Sequence, residues 1–141
     1  MRREIRNPNI EIRNKSEMSE GGENKPYDLE ERTFAFARDV RAFIKLLERT
    51  IGNVEDAKQV VRSSGSVAAN YIEANESLSK KDFRMRIKIG RKEAKESRLW
   101  LRLIDTENRP EARAKQERLC TEAQELMNIL GAIFRKTEGS E

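Results

Sequence analysis

Phe83, Ile87, Gly90, Ala94, Ser97, Leu101 and Ile104 recur at alternating steps of four and three residues, without a break. A strand presents one face at every second residue, so this spacing admits only a helix with a narrow stripe turned toward a partner. The same pattern appears three more times. Phe36, Val40, Phe43 and Leu47, widened by Ala37, Ile44 and Ile51, mark a first helix. The acids Asp28, Glu30 and Glu31 suit its amino-terminal turn, and Gly52-Asn53 predicts its end. A second helix is predicted from Val54 to Leu78, along Ala57, Val60, Ser64, Val67, Tyr71, Ala74 and Leu78. A fourth carries Ala112, Leu119, Ala123, Leu126, Leu130 and Ile133, with Cys120, Met127 and Phe134 alongside.

The punctuation agrees. Ser79 or a neighbour, with Asp82 three residues on, resembles a capping box that opens the third helix. A turn is expected near Thr106 to Pro110, where proline suits the first turn of the next helix. Helices of roughly 22 to 27 residues, at 1.5 Å per residue, would each span on the order of 35–40 Å. Equal lengths and short connections predict an all-α, antiparallel up-down-up-down four-helix bundle over residues 28–136. Charged residues at 38% and aromatics at 6% fit long amphipathic helices better than a sandwich or barrel. Small residues crowd the middle of the second helix: Ser63, Ser64, Gly65, Ser66, Ala68 and Ala69. Gly65 inside a helix costs about 1 kcal/mol relative to alanine, which predicts tight packing there.

Residues 1–27 lack any such stripe. They are polar, contain Pro8, Gly21, Gly22 and Pro26, and repeat Glu4-Ile5-Arg6-Asn7 as Glu11-Ile12-Arg13-Asn14. A disordered amino-terminal tail is expected, with Met18 a candidate start, and a short polar tail over residues 137–141. No apolar stretch approaches the ~20 residues of a membrane span, and the start has no signal-peptide run. A cytoplasmic protein without membrane contact is expected. Cys120 is the single cysteine, which excludes an internal disulfide; on an apolar stripe it reads as a buried, inert thiol.

The net charge of +4 is mild, but its distribution is not. Residues 28–49 balance at five basic and five acidic; residues 50–78 have two basic and four acidic. Residues 79–103 hold ten basic and three acidic, and residues 104–136 balance at six and six. The third-helix cations are ordered: Lys81, Arg84, Lys88, Arg91, Lys95, Arg98 and Arg102 each follow the seam at three-four-three spacing, forming one ridge on the helix flank. Like charges three or four residues apart destabilise a helix by a few tenths of a kcal/mol per pair, so an anionic partner is expected. Two readings stand. The ridge tracks phosphates of RNA or DNA, or it is a solvated face paired with acids of neighbouring helices, another subunit or an acidic protein partner. No aromatic residues interleave with it, so any nucleic-acid binding is expected to be sequence-blind.

Catalytic chemistry is missing from the pattern. With no histidine, imidazole acid–base catalysis, the serine–histidine triad and the Glu-x-x-His metal site of carboxylate bundles are excluded. Glu93 and Glu96 have a three-residue spacing, but on so charged a helix they read as ion-pair partners and not as metal ligands. No phosphate-cradling glycine loop occurs. The expectation is a non-enzymatic protein without cofactor or metal. Arg62, Asn70, Glu73 and Glu96 lie among small and apolar positions and are read as a structural polar network that fixes helix register.

The run Arg62-Ser63-Ser64-Gly65-Ser66-Val67-Ala68-Ala69-Asn70-Tyr71-Ile72-Glu73-Ala74 resembles the signature of four-helix-bundle proteins encoded in 23S ribosomal RNA intervening sequences. Lys81-Asp82-Phe83, the stretch Lys92-Glu93-Ala94-Lys95-Glu96-Ser97 followed by Trp100-Leu101, and Met127-Asn128-Ile129-Leu130 extend the resemblance over about residues 28–136. Ala74-Asn75 stands where that family commonly has glutamate-glycine, and Gly90 where it has alanine. The resemblance implies an antiparallel four-helix bundle that forms a ring-shaped homo-oligomer such as a pentamer. The chain is also similar to the accessory protein of diversity-generating retroelements, a basic bundle that binds nucleic acid and a reverse transcriptase. The intervening-sequence family has no established biochemical activity, so the resemblance speaks to fold and assembly more than to function.

Overall fold

The computed structural model describes residues 28–139, which form four helices: α1 (Leu29–Ile44), α2 (Ile51–Asn75), α3 (Lys80–Leu103) and α4 (Pro110–Lys136). No strand occurs among the described residues, and the fold is all-α. The expected amino-terminal tail and residues 140–141 lie outside the described residues. The chain divides within α1 into two units, Met1–Arg32 and Thr33–Glu141. In the first, Asp28 Oδ1 accepts the backbone N–H groups of Glu30 and Glu31 at 3.1 and 3.3 Å, capping α1. The packing described below is that of the second.

The periodic stripes are the buried ones. Phe36, Val40 and Phe43 of α1, Val60 and Val67 of α2, Ile87 and Leu101 of α3, and Leu126 and Leu130 of α4 are all fully enclosed. Each such side chain contributes about 1.5–3 kcal/mol by leaving water. α3 packs against both α2 and α4. Its contacts with α2 pair Ser63 with Ser97, Arg62 with Glu93 and Asn70 with Arg86, so one helix ascends as the other descends. Those with α4 pair Leu101 with Gln116 and Arg84 with Thr137, so these two are antiparallel as well. The slim middle allows the close approach: the hydroxyls of Ser63 and Ser97 lie 2.7 Å apart in the core, each satisfying the other.

Two boundaries differ from the sequence expectation. α1 stops at Ile44, because Lys45, Leu46 and Leu47 take tighter bonds to the carbonyls three residues back, at 3.3, 2.9 and 3.2 Å. Gly52-Asn53 does not end a helix; it lies in the first turn of α2, behind the cap at Thr50, whose hydroxyl accepts from Asn53 N–H at 3.1 Å. The buried Asn53 side chain ties down the connection that precedes it. Its amide donates to Glu48 O at 3.0 Å and Asp105 O at 2.9 Å, while Asp105 N–H donates back to its oxygen at 2.9 Å. One side chain thereby joins the α1–α2 and α3–α4 connections. Ile51 is consequently exposed at the start of α2, and Leu78, expected on the α2 seam, falls beyond its end and is 100% exposed.

The capping of α3 agrees with the sequence: Ser79 Oγ accepts from Asp82 N–H at 3.0 Å. Pro110 opens α4, and Gln116 closes the preceding helix by donating to Leu101 O and Ile104 O at 2.8 and 2.9 Å. The tight packing expected at Gly65 is not there. A Cβ at Gly65 would meet only Arg41 Nη2, at 3.5 Å, whereas one at Gly90 would lie 3.6 Å from Leu130, 3.8 Å from Asn70 and 3.9 Å from the Val67 carbonyl. At Gly90, side chains or backbone of both α2 and α4 come up against α3.

Candidate nucleic-acid interface

Three of the ridge cations, Arg84, Lys88 and Arg91, reach across to α4. Arg84 lies over the Phe134 ring, its guanidinium carbon 4.0 Å from the ring centroid. Its Nε donates to Thr137 Oγ1 at 2.7 Å, and that hydroxyl donates to Phe134 O at 2.7 Å. Lys88 Nζ stands 5.9 Å from the same ring. Such cation–π contacts anchor a charge without neutralising it. Arg91 crosses α4 at Gly131. Arg98 and Arg102 sit near enough to Cys120 to act on its thiol: burial pushes the thiol up from its ordinary range, the two arginines pull it back, and Glu117 pushes it up again. Lys81 and Lys95 are exposed.

None of these seven cations is ion-paired with a carboxylate among the described residues. The acids of α3 are engaged elsewhere. Glu93, buried, meets Arg62 Nη2 at 3.2 Å, and Glu96 meets Arg62 at 3.7 Å and Lys92 at 3.9 Å. The reading of Glu93 and Glu96 as ion-pair partners therefore holds in detail. Cys120, Gln124, Met127 and Phe134, at the matching spacing along α4, are uncharged and half-buried.

The four polar residues read as one network separate. Arg62 and Glu96 belong to the cluster with Glu93 and Lys92. Asn70 belongs to another, donating to Ser66 O and Oγ at 2.9 and 3.0 Å and accepting from Arg86 Nη1 at 3.1 Å. Both tie α2 to α3, as a register-setting role requires. Glu73 is exposed and joins neither. Sequence reasoning missed Arg86, Asn53 and Arg135. The first was overlooked because it lies one position before a seam residue, among so many other cations.

None of the four helices is long and apolar enough to cross a membrane among the described residues. A structural comparison finds a protein of unknown function from the S23 ribosomal protein family of Bacteroides thetaiotaomicron VPI-5482, 27% identical, with a TM-score of 0.65. The match covers 75% of this chain and 97% of that one. No curated protein matches the chain. The family model described as 23S rRNA-intervening sequence protein matches residues 26–132. A match of that extent, over a four-helix fold, shows that the chain belongs to the 23S rRNA-intervening sequence protein family.

Proposed function

We propose that the protein is a non-enzymatic, cytoplasmic homo-oligomer that binds RNA or DNA through phosphate contacts of α3. Lys81, Arg84, Lys88, Arg91, Lys95, Arg98 and Arg102 make those contacts. The observation that carries this reading is the ridge itself: seven cations on one flank, with no carboxylate partner among the described residues. Each phosphate that they neutralise releases condensed counterions, the dominant source of sequence-blind affinity. Phe134 lies beneath Arg84 and Lys88, so it anchors cations and is no stacking platform for bases.

The test is a fluorescence-anisotropy titration against a structured RNA and a DNA duplex at several salt concentrations. Affinity is expected to fall linearly in log–log with salt and to collapse when Arg84, Lys88 and Arg91 are replaced together by glutamine, with oligomer size unchanged. Absence of binding even at low salt rejects the reading. Self-association is supported by a separate feature. Met85, Leu99 and Leu103 are exposed along the outer side of α3, away from the core stripe. The competing reading, in which the ridge assembles subunits or docks an acidic protein partner, predicts instead that the triple replacement changes the oligomer or abolishes partner capture.

A further inference from the structure

Arg91 and Arg135 come from different helices and meet over one backbone position. A Cβ at Gly131 would lie 3.1 Å from Arg91 Nε, 3.6 Å from Arg91 Cδ and 3.4 Å from Arg135 Nη1. The bare glycine lets Arg91 cross from α3 onto α4. Arg135, one turn later, folds back toward the helix amino terminus, the direction that long helical side chains favour. Both side chains thus reach the same point on α4, which puts Arg91 Nε and Arg135 Nη1 within about 6.5 Å of each other, and neither is ion-paired among the described residues. Unscreened, such an arrangement is repulsive. It becomes favourable when one anion accepts from both, since guanidinium forks match the paired oxygens of a phosphate group.

We infer that Arg91 and Arg135 jointly hold a single nucleic-acid backbone phosphate above Gly131, so that the polyanion leaves the α3 ridge and crosses onto the end of α4. This rests on the nucleic-acid reading of the ridge and adds a residue outside it. The carboxyl end of α4 opposes an anion with roughly half a negative charge from the helix dipole. Two guanidiniums outweigh it, with Arg84 about two turns before Arg91 on α3, over Phe134. Arg84 uses Nε on Thr137 and rests its guanidinium on Phe134.

The experiment compares the full chain with Arg91→Gln, Arg135→Gln and the double variant, titrated against a labelled DNA duplex over a salt series. Both arginines are exposed, and circular dichroism verifies that the helices persist. Arg135→Gln is expected to weaken binding severalfold, comparably to Arg91→Gln. Neutralising one B-DNA phosphate accounts for about 0.9 in the log–log salt slope. The double variant should therefore lose about one unit of slope. A loss of about two units means separate phosphates and overturns the inference. So does an Arg135→Gln protein that binds as the parent does while the Arg84/Lys88/Arg91 variant fails, and in that case the ridge reading survives. If the parent itself does not bind, the ridge reading falls first.

Discussion

Asn53 shows how much one side chain can hold. It makes three hydrogen bonds to backbone groups of two connections that are far apart in sequence, and it is almost wholly enclosed. Asn53→Ala removes all three and strands the Asp105 N–H, so a loss of about 2–3 kcal/mol is expected in urea unfolding. Asn53→Asp is expected to be at least as damaging, because it sets an oxygen against two carbonyl oxygens. A loss below about 0.5 kcal/mol for both would mean that the two connections are held by other contacts. Cys120 offers a reporter of a different kind. Burial raises its thiol, which keeps the thiolate scarce at neutral pH, while Arg98 and Arg102 partly offset this. Alkylation should thus be slow near pH 7 and accelerate only above the ordinary thiol range. Replacing Arg98 and Arg102 by glutamine removes the stabilising cations and should shift that profile to still higher pH. An unshifted profile would show that neither charge reaches the sulfur.

At the level of the helix, Gly90 gives the sharpest expectation. It faces residues of both α2 and α4, yet a methyl group there would meet its neighbours only at ordinary contact distances of 3.6–3.9 Å. Gly90→Ala should therefore gain up to about 1 kcal/mol from helix propensity and reduced freedom of the unfolded chain. A rise in thermal midpoint at unchanged helicity would bear this out, and a fall would mean that the interhelical spacing leaves no room for a methyl. The helices themselves were legible, because the three-four stripes name every buried apolar residue from Phe36 to Leu130. The α1–α2 break was misplaced for a physical reason. Gly-Asn reads locally as a stop, whereas this asparagine bonds to Asp105, 52 residues away. The basic ridge was legible too, since from Arg84 onward each of its cations follows a seam residue. Arg135 was not, because α4 carries balanced charge and its approach to Arg91 depends on the register between two helices.

For the whole molecule, the consequence of the ridge is a stability that should rise with salt. Proteins whose surface charges are mostly paired lose a little stability as salt screens those pairs. Here the seven cations of the ridge form six successive like-charged neighbours at three- and four-residue spacing, without carboxylates to offset them among the described residues. At a few tenths of a kcal/mol per neighbour, the repulsion is on the order of 1–2 kcal/mol at low ionic strength. The exposed ion pairs, Lys58–Glu55 and Arg113–Glu117 among them, each offer less than about 1 kcal/mol in the opposite direction. Repulsion should win. The thermal midpoint is expected to climb as sodium chloride is raised from about 10 to 150 mM, where the screening length shrinks from about 30 to 8 Å. Glutamine at Lys81 and Lys95, which anchor nothing in α4, should raise the low-salt midpoint and flatten the dependence. A polyanion that binds only the folded chain should stabilise it further by mass action, above what its ionic strength supplies. If the midpoint instead falls with salt in the parent and in the Lys81/Lys95 variant alike, the ridge is not a reservoir of repulsion, and its cations have partners that only an assembled oligomer would supply.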